Sequence, residues 1–265
     1  KLFGSVNMSH STIRPLIVAT YNIDFQSAFF DERFEVLFNT LHNADFDIIA
    51  IQDDAVQELK LPRRQTPVVS RDTVVSTLEP LYPYHITSYQ PENTYRTYTE
   101  MIFSRIPFTL TGYHKFEVTI YDRCLLWVTL DYNETSVTIA TSHFESMNYN
   151  APTRLLQAQK VHELLGEIPN VLFLGDLNVE DINELGPLHE YWKESPNYNN
   201  TWFLQRLRPS EDDLRKQYDR VFMSPNWTLS NPAEIITSLV SEYLTKENVW
   251  TSDHDGLLVT IKFFL

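Results

Sequence analysis

Five short polar clusters carry the residue types of phosphate chemistry, and each borders an apolar run. A run at 16–20 leads into Tyr21-Asn22-Ile23-Asp24, and one at 47–51 leads into Gln52-Asp53-Asp54. Another at 137–141 ends in Ser142-His143-Phe144-Glu145-Ser146, and 171–174 ends in Gly175-Asp176-Leu177-Asn178. Ser252-Asp253-His254 precedes the final apolar run. Taken singly, each has a plain explanation. Gly-Asp-X-Asn after a strand is usually a turn, because Asp and Asn hydrogen-bond their own backbone. A lone histidine is more often structural than catalytic. Five such clusters together, each with a carboxylate, amide or imidazole and none with a packing role, reverse that weighting.

The inventory suits attack on a phosphodiester. That reaction needs a hard cation, a group to prepare water, and donors for the charge that builds on the phosphoryl oxygens. Magnesium takes oxygen ligands, commonly one or two carboxylates with water and substrate phosphate. Asp53 and Asp253 are the carboxylates suited to a metal, and Asp176 is suited to orienting and deprotonating water. Asn22, Asn178, His143 and His254 supply donors for phosphoryl oxygens. No serine elbow, Walker loop or Gly-rich nucleotide cradle is present.

These groups need a frame of strands. Apolar runs at 16–20, 47–51, 100–103, 124–130, 137–141, 171–174, 220–223 and 257–264 are short and rich in β-branched or aromatic residues, so they read as strands. Helical spacing of apolar residues predicts helices over 31–41 and 153–165, with weaker patterns over 71–81 and 183–192. Four clusters follow a strand and one precedes a strand, so the last strand should run opposite to the others. All five then share one rim. The expected architecture is one α/β domain with two sheets packed face to face. It spans 1–265, with about 1–14 as a flexible lead-in.

Composition narrows the partners. The chain has 265 residues, 43% hydrophobic, with 21 basic against 35 acidic side chains and a net charge of −14. That is enough apolar material for a sizeable core. The acidic balance argues against partners held by bulk charge, such as non-specific duplex DNA or an anionic membrane face. No apolar stretch approaches the ~20 residues of a spanning helix, so no membrane partner is expected. The start of the chain shows no secretory signal pattern. The single cysteine, Cys124, has no internal disulfide partner, which makes a reducing compartment the default. The locally basic stretch at 60–71 reads as a solvated connection, with a phosphate-contacting loop as the alternative.

The ordered set TYN, IQD, TSHFES, LGDLN and SDH resembles the signature of the exonuclease–endonuclease–phosphatase superfamily, the DNase-I-like fold. Within it, the chain is most similar to the 5′-tyrosyl-DNA phosphodiesterase branch. The supporting features are NID after the first strand, SHFES with Arg154 and Gln157 downstream, GDLNVED, Thr201-Trp202, and Tyr218-Asp219-Arg220. The resemblance implies a four-layer α/β sandwich of two mixed sheets with helices outside. It implies magnesium, with manganese as an alternative ion, and hydrolysis of the bond joining a protein tyrosine to a 5′ phosphate in DNA repair. The partner is then single-stranded or 5′-end DNA bearing a tyrosine-linked protein, with tyrosine-linked RNA as a second substrate, in the nucleus or cytoplasm.

By the same resemblance Asp176 is the general acid/base, Asn22 and Asn178 position phosphate and water, His254 stabilises the pentavalent state, and Asp53 holds magnesium. His143, Arg154, Trp202, Glu145 and Ser252 fall on the substrate side, with Asp24, Asp253 and Asp219 in support. Two departures stand out. Aspartate replaces the family's usual glutamate at Asp53, which removes a methylene and ~1.5 Å of reach. Asp255 follows SDH where relatives carry tryptophan, adding negative charge beside a polyanionic substrate. Other branches of the superfamily, such as deadenylases, abasic-site endonucleases, and phosphoinositide or sphingolipid phosphodiesterases, are the alternatives, followed by an inactive binding scaffold.

Overall fold

The computed structural model describes residues 14–24, 30–54, 71–88, 99–195, 200–203, 206, 214–228, 234–237 and 250–263. For 30–32, 53–54, 71–72, 99 and 234–237 it describes the backbone alone. The lead-in at 1–13, most of the basic stretch at 60–71 and most of 91–99 lie outside the described residues.

The strands are β1 (Leu16–Asn22), β2 (Ile48–Asp54), β3 (Tyr84–Thr87), β4 (Thr99–Ser104), β5 (Leu110–Lys115), β6 (Cys124–Tyr132) and β7 (Thr135–Ser142). They continue with β8 (Val171–Asp176), β9 (Lys193–Glu194), β10 (Trp202–Phe203), β11 (Arg215–Lys216), β12 (Asp219–Met223), β13 (Glu234–Thr237) and β14 (Leu257–Ile261). The helices are α1 (Phe30–Asn43), α2 (Arg71–Leu78), α3 (Ala151–Leu165) and α4 (Pro187–Tyr191). One six-stranded sheet has the order β13-β14-β1-β2-β4-β3, the other β5-β6-β7-β8-β12-β9, and β10-β11 form a small ribbon.

The central strands are buried on both faces, so alternate residues enter different cores. Leu16 and Val18 of β1 meet Leu126, Val128, Leu172 and Leu174 between the sheets. Ala19 and Tyr21 point the other way, against Leu37, Phe38 and Leu41 of α1 and Val74 and Leu78 of α2. Phe173 of β8 likewise packs with Ala158, Val161 and Leu165 of α3. The result is the four-layer α/β sandwich, and double-sided burial explains why these strands read as unbroken apolar runs.

Four strand pairings place the polar clusters. β1 pairs in parallel with β2, setting Asn22 opposite Gln52, and β7 pairs in parallel with β8. β14 runs antiparallel to β1, as its position after rather than before its cluster required. β12 runs antiparallel to β8 and sets Asp219 opposite Asp176. The helix expected over 183–192 is broken instead. A 3-10 turn at Ile182–Leu185 stops at Gly186, whose φ is 44°, and α4 restarts at Pro187. Proline at a first helical turn loses no hydrogen bond, so the restart is unstrained. No helix among the described residues is long and apolar enough to cross a membrane.

Candidate active site

Asp176 ends β8 where the ends of the two sheets meet and is buried. Glycine is required just before it, because a Cβ on Gly175 would lie 2.2 Å from the Ser142 carbonyl oxygen. That close approach brings the end of β8 beside His143. Asn22 of the other sheet donates from Nδ2 to Asp176 Oδ2 at 2.9 Å. His143 Nε2 lies 3.2 Å from the same oxygen, and His254 Nε2 lies 3.6 Å from it. The Asn178 backbone N–H donates to Asp176 Oδ1 at 2.9 Å, closing an Asx turn in which Asn178 adopts φ 51°. Its side-chain amide then donates to the Phe144 carbonyl at 3.1 Å. One carboxylate is therefore ringed by donors from four strand ends.

His254 is fixed from behind. Its Nδ1 lies 2.7 Å from Asp219 Oδ2, which leaves Nε2 facing Asp176. The Ser252 hydroxyl accepts from the His254 backbone N–H at 3.0 Å and donates to the Asn22 carbonyl at 2.7 Å, tying the two strand ends together. Asp253 accepts from the Trp202 indole N–H at 2.7 Å. Burial pushes the Asp176 carboxyl up, but His143 and His254 facing it, with hydrogen bonds from His143 and Asn22, hold it well below the usual carboxylate range. Burial opposes charge on His254, yet Asp219, Asp253 and Asp176 raise its pKa well above that of a free imidazole. Burial lifts Asp219 upward. Carboxylates on both sides keep the proton on His254.

An anionic acceptor beside a cationic donor, walled by amides, is what attack on a phosphoryl group requires. The family model for endonucleases, exonucleases and phosphatases matches residues 19–254, spanning every cluster just described. The chain belongs to that family. It is thus a hydrolase of phosphodiester bonds.

Solved structures of the same fold share little sequence. Danio rerio TDP2 complexed with single-strand DNA product is 19% identical, with 93% of this chain and 98% of that one covered and a TM-score of 0.73. Truncated Caenorhabditis elegans TDP2 is 20% identical over 94% and 98%, with a TM-score of 0.75. The Staphylococcus aureus beta toxin F277A, P278A mutant with bound magnesium ions is 14% identical over 94% and 100%, at 0.70. A comparison with curated protein sequences gave no match.

Several residues expected on the substrate side of this family site are turned into the protein. The Arg154 guanidinium is fully buried and donates to the Glu145 and Met147 carbonyls, both at 2.8 Å, and to Glu184 at 2.6 Å. Glu145 is also fully buried and accepts from Thr119 Oγ1 and the Ile120 and Tyr121 backbone N–H groups. Both residues brace the segment after His143. Ser252 is a strand-end tie. His254 takes its orientation from Asp219, whereas Asp253 is held by Trp202, 3.8 Å from His254 Nε2. The Trp202 ring remains half-buried, 5.3 Å from the Tyr218 ring. Asp24 sits at φ 45°, with its N–H on Asn22 Oδ1 at 3.0 Å and its carboxylate 3.4 Å from Arg33. The backbone of Asp53 follows Gln52 at the end of β2, and its side chain lies outside the described residues.

Three residues to which the sequence assigned no role hold the family site together. Gln52 Nε2 bridges Thr20 of one sheet and Thr141 of the other at 2.9 and 2.8 Å. Arg33 binds the carbonyls of Ile23, Asp24 and Thr251. Arg206 stacks between Phe203 and Trp250, at 4.1 and 4.3 Å, donates to the His254 carbonyl, and pairs with Asp255 at 2.9 Å. The charge of Asp255 is therefore met within the protein instead of facing substrate.

Arg154→Ala would strand the partly buried Glu184 carboxylate and the Glu145 and Met147 carbonyls. Its expected result is a loss of about 3 kcal/mol in denaturant unfolding. A stable variant with a raised KM would mark a substrate contact instead.

Among the described residues no group of three or more His, Cys, Asp or Glu is arranged to hold a metal. Asp176, Asp219 and Asp253 already accept hydrogen bonds from protein partners. The donor types at the rim, carboxylate and amide oxygens, are those that magnesium takes while keeping much of its shell as water and phosphate.

Proposed function

We propose that the protein is a magnesium-dependent phosphodiesterase that hydrolyses the bond between a protein tyrosine and a DNA 5′ phosphate. The observation that carries this reading is Asp176 itself, shared by Asn22, His143 and His254 from both sheets. Asp176 is ionised throughout the working pH range, so it accepts rather than gives a proton. It orients a water, and the proton leaves that water easily once its oxygen is bonding to phosphorus. Asn22 and Asn178 hold phosphoryl oxygens. The His254 proton, kept on the imidazole by Asp219, meets charge as it accumulates on them. Tyrosine, with a reference pKa of about 10, departs as phenolate with little protonation help, which suits a site with one prominent acceptor.

Asp53, supported by Asn22 and Asp253, would hold magnesium, which supplies positive charge for the phosphoryl oxygens. Asp53→Ala should abolish measurable magnesium binding in titration calorimetry while thermal stability stays near wild type. If Asp53 only ends a strand and caps the next turn, magnesium affinity stays intact and stability falls by ~0.5–2 kcal/mol.

The net charge of −14 argues that DNA is recognised at an end by local contacts, not held along its length by bulk charge. Half-exposed Trp202 offers a ring for a base in any sequence. Tyrosine-linked RNA is a second substrate on the same chemistry, and a nuclear or cytoplasmic location suits the reaction. Turnover of 5′-tyrosyl DNA, poly(A) RNA, abasic duplex and a phosphodiester lipid should be compared side by side. Preference for any of the last three assigns the chain to another branch of the family.

A further inference from the structure

Beyond the catalytic cluster, the rim of the second sheet continues through 117–123 before β6, 145–149 after β7 and 178–181 after β8. Buried charges hold the first two segments. Glu145 Oε1 accepts from Thr119 Oγ1, the Ile120 N–H and the Tyr121 N–H at 2.5, 2.6 and 3.1 Å. Arg123 donates to Ser146 Oγ at 3.1 Å, and Arg154 holds the Glu145 and Met147 carbonyls. Asn148 Nδ2 and the Tyr218 hydroxyl, at 3.3 and 3.2 Å, join this rim to Glu180, two residues beyond Asn178.

What this bracing presents to solvent is apolar. Ile120 is 62% exposed, Met147 55% and Tyr149 74%. Met147 adopts φ 71° and ψ 140°, a region that side chains other than glycine rarely occupy, at roughly 1–3 kcal/mol. Its carbonyl is captured by Arg154 and by the Asn150 N–H at 3.0 Å, so the surroundings impose the conformation. A methionine sits where glycine would be unstrained, four residues after His143, with more than half of its surface in water.

Charge selects what the surface meets. The three segments carry Glu117, Asp122, Glu180 and Asp181 at the rim against one arginine, Arg123, which is buried. Lys115 and Lys216 beside them pair with Asp122 and Glu180. With Asp122 and Glu180 paired, Glu117 and Asp181 remain as the acidic excess, so an aliphatic or basic peptide suits this edge better than a phosphate backbone.

We infer that Ile120, Met147 and Tyr149 form a docking lip for the peptide flanking the departing tyrosine, so the enzyme reads its leaving group as well as its DNA end. This rests on the 5′-tyrosyl reading of the site. The test compares one 5′-phosphorylated oligonucleotide carrying either tyrosine amide alone or tyrosine within a longer basic peptide. Wild type should show a kcat/KM about tenfold higher on the peptide adduct. Met147→Gly and Ile120→Ser should bring the two substrates level by raising KM for the peptide adduct alone. Met147→Gly should melt no lower than wild type, and Met147→Leu should restore the preference. Equal activity of wild type on both adducts, or an equal loss on both in the two variants, would overturn the lip. No cleavage of either adduct by wild type would overturn the 5′-tyrosyl reading and the lip with it.

Discussion

Asp176→Asn should fold and bind substrate yet lose about three orders of magnitude in kcat. The amide is isosteric and still accepts from the Asn178 N–H, so the Asx turn survives. What is lost is the anion. The amide can neither take a proton from water nor balance the charge on His254, and proton transfer and positioning fail together. Single-turnover rates with melting temperature beside them check this. Near-normal turnover in a stable variant would move the water-activating role to another group.

His254→Ala should lower kcat by about 10²–10³ with little change in KM, the size expected when one donor to developing oxyanion charge is removed. The reason is geometric: with Nδ1 on Asp219, it is Nε2 that faces Asp176. A higher KM at unchanged kcat would make it a ground-state binding residue instead. The same histidine fixes a pH effect on stability. Its pKa is raised on folding, so its contribution is complete below the unfolded value of ~6.5 and is lost as pH rises through the folded value. His254→Gln should flatten the alkaline fall in melting temperature.

The convergence of the polar clusters was legible because their strands are buried on both faces. Unbroken apolar runs such as Leu172–Phe173–Leu174 end abruptly in polar residues, and the parallel and antiparallel order of β1, β2, β7, β8 and β14 follows from which side each cluster lies on. Edge and ribbon strands were not legible. β5, half-exposed and carrying a glycine, lacks an apolar run, and β9 to β11 are two residues each. Nor does sequence reveal which way a long cation points. Arg154 fits a substrate contact by its place downstream of SHFES, but its guanidinium lies under the segment it was expected to extend beyond. Arg206 sits in no periodic pattern, so its clamp on the His254 carbonyl and Asp255 depends on contacts that only folding creates. Gln52 read as a neighbour of Asp53, although its amide joins the two sheets.

The most direct test is cleavage of a 5′-phosphotyrosyl oligonucleotide by the purified protein, with and without magnesium and against the Asp176→Asn variant. The account predicts free tyrosine and a 5′-phosphorylated strand only when magnesium and Asp176 are both present. Release that persists in chelator, or wild-type protein that leaves this substrate intact while hydrolysing another phosphodiester, would contradict it.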